Sequence, residues 1–179
     1  MLELIPLDSI KLHPHAQPRT EIDYMLVEEY RIAMDDGEVL PPVEVYFDGA
    51  SYWLADGFHR YHAAAESERR EIPANVNQGA ARDAVLHAVG ANALHGKRRS
   101  NADKRKAVET MLHDREWGEW SNRKIAEACR VSHTFVDRCR AELRPAPVVE
   151  SGNVATEADE SDAQGEPAET GNVAMDEDD

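Results

Sequence analysis

The sequence predicts an α+β fold: a small mixed sheet-and-helix domain, then an all-α segment, then an acidic tail with no packed core. Three observations predict it. Short strand-like runs broken by Pro and Gly alternate with helical spacing over residues 1–94. Residues 95–144 carry helical spacing and caps without strand signals. From residue 145 the chain is poor in large apolar groups and carries one sign of charge, a composition that stays disordered.

Leu4, Ile5 and Leu7 with Ile10 and Leu12 read as a short strand broken by Pro6. The loop His13-Pro14-His15-Ala16-Gln17-Pro18-Arg19 is held extended by its prolines. A helix follows over 20–36, with Ile22, Met25, Leu26 and Tyr30 on one stripe, Thr20 as its cap and Asp23 closing a capping box. Val43 to Phe47 and Tyr52 to Ala55 pair as a hairpin through Asp48-Gly49. Ile72 to Val76 is a strand that Pro73 assigns to a sheet edge. Ala80 to Leu94 is a helix closed by Gly96, and a further helix runs from about Ala102 to Arg115, capped by Asn101 or Asp103. Trp117 and Trp120 read as core.

Net charge is −15 over 179 residues, and its distribution matters more than its total. Residues 1–94 net −9, residues 95–144 net +5, and residues 145–179 net −11. The middle segment alone has the sign a polyanion wants. No apolar run reaches the length of a membrane helix and the N-terminus lacks a basic leader, so the expected location is cytoplasmic, near DNA, with no membrane partner. Cys129 and Cys139 lie ten apart, which suits neither a zinc knuckle nor a CxxC site; they read as reduced core thiols. The tail repeats Ser151-Gly152-Asn153-Val154-Ala155 as Thr170-Gly171-Asn172-Val173-Ala174, and no physical reason for the repeat is evident.

The stretch from Tyr52 to Ala65 carries the chemistry. An apolar strand stops at Asp56-Gly57 and restarts as an alanine-rich helix. Such a junction aims the first backbone N–H groups of the helix at one spot, which attracts anions. His59 and Arg60 add a proton carrier and a forked cation at that mouth. The competing reading is an ordinary turn in which Arg60 pairs with a nearby carboxylate.

A second signal lies at 121–143. Ser121 caps one helix, a break falls at Cys129-Arg130-Val131, and Ser132 caps another, the pattern of a helix-turn-helix. Its exposed face would present Ser132, His133, Thr134, Asp137, Arg138 and Arg140 to a major groove, behind a basic loop of Lys97, Arg98 and Arg99. The competing reading is a plain helical hairpin. Arg130 falls where the turn favours glycine and would cost roughly 1 kcal/mol there.

Gln17-Pro18-Arg19 before a helix, Pro41-Pro42-Val43-Glu44-Val45 opening a strand, Leu54 to Ala64 as strand–turn–helix, and Gly90-Ala91-Asn92 before a basic loop stand in a recognisable order. Residues 1–143 resemble the ParB/sulfiredoxin-like domain followed by a ParB-type DNA-binding segment. The resemblance implies a pocket for CTP, or another nucleoside triphosphate, with magnesium, coupled to double-stranded DNA, and a second copy of the chain as a further partner. It implies Arg19, Gly57, His59, Arg60 and Asn92 at the nucleotide, with Asn92 at the metal or phosphate edge; by residue type Asp56 and Asn92, with His59, could hold the magnesium. It also implies a partition or transcription-regulating role. The turn departs from the family's Gly-Glu-Arg-Arg, reading Gly57-Phe58-His59-Arg60, and Ala91 replaces a Glu that could place a metal or water. Phe58 stands where sulfiredoxin needs its Cys, which excludes that chemistry. The alternative on the same scaffold is a metal-dependent nuclease or a nucleotide-dependent phosphotransferase; no second carboxylate is evident to complete a two-metal nuclease. A metal site from Asp56, His59 and His62 is a third reading.

Overall fold

A computed structural model describes residues 1–17, 19–91 and 99–143. Expectations for Asn92, Gly96, Lys97, Arg98, the boundary at 94/95 and the tail fall outside these residues. Five strands form one mixed sheet in the order β1-β5-β3-β4-β2. They are β1 (Leu2–Pro6), β2 (Ile10–Lys11), β3 (Val43–Phe47), β4 (Tyr52–Asp56) and β5 (Glu71–Gln78). A 3-10 turn at Leu7–Ser9 separates β1 from β2, the break expected at Pro6. The Asp48-Gly49 hairpin forms as expected: Asp48 Oδ1 accepts from the N–H groups of Ala50 and Ser51 at 2.9 and 2.8 Å, and Gly49 has φ +97°.

β5 corrects an expectation. It lies between β1 and β3, inside the sheet, despite Pro73. The register explains how. Met1 and Val76 exchange both backbone hydrogen bonds, so alternation leaves Leu4 and Pro73 as a non-bonded pair. The ladder to β3 begins one residue later, at Ala74. The missing N–H of Pro73 is therefore not needed on either side.

Six helices accompany the sheet: α1 (Tyr24–Asp35), α2 (Phe58–Glu66), α3 (Ala81–Gly90), α4 (Asn101–His113), α5 (Asn122–Cys129) and α6 (His133–Leu143). α1 starts four residues later than its periodicity suggests. Asp23, not Thr20, is the cap; its carboxylate accepts from the N–H groups of Met25 and Leu26. α4 is capped by Ser100 rather than Asn101 or Asp103, with Asp103 as the third residue of the capping box. α2 packs on β3 and β5 and against α1, while α3 lies on β3 and β4. α4 touches α3, α5 and α6, and α5 touches α3. One apolar core runs from Ile5, Val43 and Leu54 through Val85, Val89 and Met111 to Ile125 and Val136. Residues 1–145 are one compact unit.

Two polar joints bolt the helices to the sheet-bearing part. At the first, α3 and α5 meet end to end. A Cβ on Gly90 would lie 2.6 Å from the carbonyl oxygen of Ala128, so only glycine allows this approach. Arg99 closes the joint: its Nη1 donates to the carbonyls of Val89 and Cys129, both at 3.0 Å, at the C-termini of the two helices. Arg99 is thus buried, at 8% exposure, which corrects its assignment to a DNA-facing loop. Burial pushes its pKa below the usual arginine value.

At the second joint, Asp103 of α4 gathers the end of the Gln17–Arg19 loop. Its Oδ2 takes Arg19 Nη1 at 3.1 Å and the Ser100 N–H at 2.9 Å, and its Oδ1 takes the Thr20 N–H at 3.0 Å. Lys106, one turn on, donates to the Arg19 carbonyl at 2.6 Å. Asp103 is buried, which by itself raises its pKa. The bonds from Thr20, Ser100 and Arg19 overcome this and hold it at about 2.

Two outcomes follow from these joints. Gly90→Ala, favourable in an ordinary helix, is expected to destabilise by about 1–3 kcal/mol in urea unfolding, because the backbone contact cannot relax without separating α3 from α5. The folded pKa of Asp103 lies below its unfolded value of 3.8, so its stabilisation is complete above about pH 5 and is lost as pH falls toward 2. On the order of 2 kcal/mol is involved. Asp114, held at about 2 by Arg82, titrates in the same window. The measurement is therefore the difference between wild type and Asp103→Asn, which should shrink between pH 5 and pH 2.5.

Candidate functional site

The strand–turn–helix junction is built as its residues suggest. β4 ends at Asp56, Gly57 takes φ +95°, and α2 begins at Phe58. A side chain at Gly57 would meet left-handed strain, and its Cβ would lie 2.7 Å from Val43 Cγ1, so glycine is required twice over. No side chain caps α2, so its first N–H groups keep the polarity that draws an anion. His59 looks toward the start of α1: its Nε2 accepts from the Asp23 N–H at 3.2 Å. That bond puts the proton of the neutral ring on Nδ1. It also brings the segment after Arg19 alongside the mouth of α2.

Arg60 points the other way. Its Nη1 donates to the carbonyls of Pro41 and Pro42 at 2.7 and 2.6 Å, and its Nη2 reaches Asp56 Oδ2 at 3.3 Å. The guanidinium ties the proline-rich entry of β3 to the end of β4. This is the alternative in which Arg60 pairs with a nearby carboxylate, with two carbonyls added. Arg19 lies at the other joint, its guanidinium on Asp103 and only 9% exposed. Gly57 and His59 thus share one end of α2 with the Asp23 cap of α1, Arg60 braces that end, and Arg19 is held on Asp103 of α4.

The metal expectations find little among the described residues. Asp56 accepts from Arg60. No group of three His, Cys, Asp or Glu side chains there is placed to hold a metal ion. His62 is half-buried, and burial lowers its pKa despite the opposing charge of Glu66. The grouping of Asp56, His59 and His62 is thus not seen among the described residues, and Asn92, the second expected magnesium ligand, lies outside them.

At the other end of the chain, α5 and α6 are joined by the three residues 130–132. Arg130 takes φ +52° at the position where the sequence reading placed the left-handed cost. Ser121 and Ser132 accept from the N–H groups of Lys124 and Phe135 at 3.3 and 3.2 Å. Ile125, Cys129, Val136 and Cys139 are buried between the helices and α4, and burial pushes the Cys129 thiol up to about 12, which makes it inert. Ser132, His133, Thr134 and Arg138 stand exposed together. Arg140 does not: it donates to Asn122 Oδ1 at 2.7 Å and to the carbonyls of Gly118 and Trp120 at 2.8 and 2.9 Å. That removes it from the expected groove-facing set. Asp137 also accepts from Asn122.

Sequence reading missed Asp103 and Lys106 as partners of Arg19. The capping-box spacing from Ser100 was visible, but a contact across 84 residues has no local signature. For Arg60 the outcome is measurable. Arg60→Lys is expected to cost about 1–3 kcal/mol, because an ammonium cannot span two carbonyls and a carboxylate with the reach of a fork. Chemical denaturation of the two proteins side by side reads it.

The description "ParB N-terminal domain" fits residues 1–93. No curated protein matches the chain. The C-terminally truncated ParB of Caulobacter crescentus complexed to the centromeric parS site shares the fold, with TM-score 0.54 and 16% identity over 81% of this chain and 73% of that one. The same protein complexed with CTP-γ-S gives 0.47 and 17%, over 78% and 77%. Sulfiredoxin from Arabidopsis thaliana gives 0.42 and 23%, over 49% of this chain and 96% of that one. With its first 93 residues, more than half its length, matched in this way, the chain belongs to the ParB N-terminal domain family.

Proposed function

We propose that this is a ParB-like DNA-binding protein, of partition or regulatory type, whose N-terminal part holds a nucleoside triphosphate and whose α5–α6 pair reads double-stranded DNA as a helix-turn-helix. The observation that carries the nucleotide reading is the uncapped N-terminus of α2 behind a left-handed Gly57, with His59 hydrogen-bonded to the start of α1. Two cations, Arg19 and Lys106, stand by the carboxylate of Asp103, and this excess positive charge suits a polyanion. CTP as the nucleotide rests on the family resemblance. Magnesium would ride mainly on the phosphates, since the described side chains supply no site of their own. The engagement of Arg60 by Pro41, Pro42 and Asp56 makes it a brace for the pocket rather than a free hand for phosphate.

The DNA reading rests on the exposed cluster Ser132, His133, Thr134 and Arg138 at the start of α6, and on the parS-bound protein of the same fold. Homodimerisation belongs to the same reading. Asp56 tied to Arg60 leaves the nuclease and phosphotransferase alternatives without a supporting observation.

Calorimetry with CTP, ATP and GTP in magnesium, with and without duplex DNA, tests both halves. CTP should bind, and His59→Ala should weaken it at least ten-fold. DNA binding should fall steeply with salt and weaken further in Arg138→Ala, with nucleotide affinity unchanged. No binding of any triphosphate at millimolar concentration removes the nucleotide half. DNA affinity indifferent to both salt and Arg138→Ala removes the other.

A further inference from the structure

A cavity of about 660 Å³, with no α2 residue in its lining, lies between the His13–His15 turn, α3 and the second half of α4. That volume falls in the range of small-molecule sites. Its floor is apolar: Ala81, Val85 and Trp117. Arg82 lies over the Trp117 ring, 4.1 Å from its centroid, and holds the indole in place. The rim is rich in basic groups: His13, His15, Lys106 and His113.

The carboxylates at this cavity are already engaged. Asp114 takes both Arg82 nitrogens at 2.8 and 2.7 Å and the N–H groups of Glu116 and Trp117 at 2.9 Å each. Glu109 takes Arg105 at 2.7 Å. The histidines are oriented as well. His13 Nδ1 accepts from the His15 N–H at 3.2 Å, so its proton sits on Nε2. His113 Nδ1 donates to the Glu109 carbonyl at 2.8 Å. An aromatic floor with spoken-for acids and a basic rim is complementary to a flat ring that carries an anionic group.

We propose that this cavity is a second ligand site, separate from the nucleotide pocket, for a small aromatic acid. Its ring lies against Val85 and Trp117 and its anionic group meets His13, Lys106 and His113. Lys106 also donates to the Arg19 carbonyl, so an occupant that draws Lys106 acts on the loop Asp103 holds. The link to the nucleotide rests on the reading above; binding in the cavity does not.

Salicylate, which has ring and carboxylate, is the probe; benzyl alcohol carries the ring alone and inorganic phosphate the charge alone. The full chain is titrated with each while imidazole NMR signals and tryptophan fluorescence are followed. Salicylate should saturate, shifting His13 and His113 but not His133, with the two control compounds at least ten-fold weaker. His113→Ala, at an exposed position, and Ala81→Phe, which fills the cavity floor, should each weaken salicylate ten-fold or more. A linear, non-saturating titration overturns the proposal. So does equal binding of the ring-only or charge-only compound, or unchanged affinity in both variants. If CTP fails to bind while salicylate saturates, the nucleotide reading falls and this one stands.

Discussion

A buried carboxylate, Asp103, is the constraint on which the arrangement depends. A charge that deep costs several kcal/mol unless it is matched, and here it is matched by an arginine, two backbone N–H groups and a hydroxyl-capped helix start. Every one of those partners comes either from the Gln17–Thr20 loop or from the first turn of α4. To satisfy the carboxylate is therefore to fix the loop on the helix. The loop leads into α1, whose capping residue Asp23 is bonded to His59, so position is passed on to the mouth of α2.

Several arginines link to backbone carbonyls that lie apart from them in sequence. Arg60 spans Pro41 and Pro42, Arg99 spans Val89 and Cys129, Arg140 spans Gly118 and Trp120, and Arg69 reaches Met34. The planar fork suits this task because it satisfies two acceptors from one direction. The consequence for function is direct. The net charge of +5 over residues 95–144 overstates what is offered to a polyanion, since Arg99 and Arg140 are spent on the scaffold. Arg138 on α6 is one part of that charge left at the surface, with Arg115, Arg123, Lys124 and Arg130 among the described residues.

The two candidate sites share one physical scheme. At the α2 mouth, uncapped backbone N–H groups stand beside His59, which accepts from Asp23, on a strand–turn–helix frame that glycine alone permits. At the cavity beside Trp117, carboxylates are paired with neighbouring arginines, so that histidines and Lys106 are the polar groups left in the lining. Lys106 links them: it lines the cavity and donates to the Arg19 carbonyl.

Local chemistry alone determined the α+β class, the hairpin at Asp48-Gly49, the strand–Gly57–helix junction, the serine caps of α5 and α6, and the left-handed Arg130. Each depends on φ preferences or on hydrogen bonds spanning a few residues, and such signals are written in short stretches. The tertiary structure decided what those stretches could not state. It placed Pro73 inside the sheet, because a ladder register decides which N–H groups are needed. It moved the α1 cap from Thr20 to Asp23, because Thr20 was claimed by Asp103 from 83 residues away. It turned Arg60, Arg99 and Arg140 inward, because an arginine's partners are chosen by what folds against it and not by its neighbours in sequence.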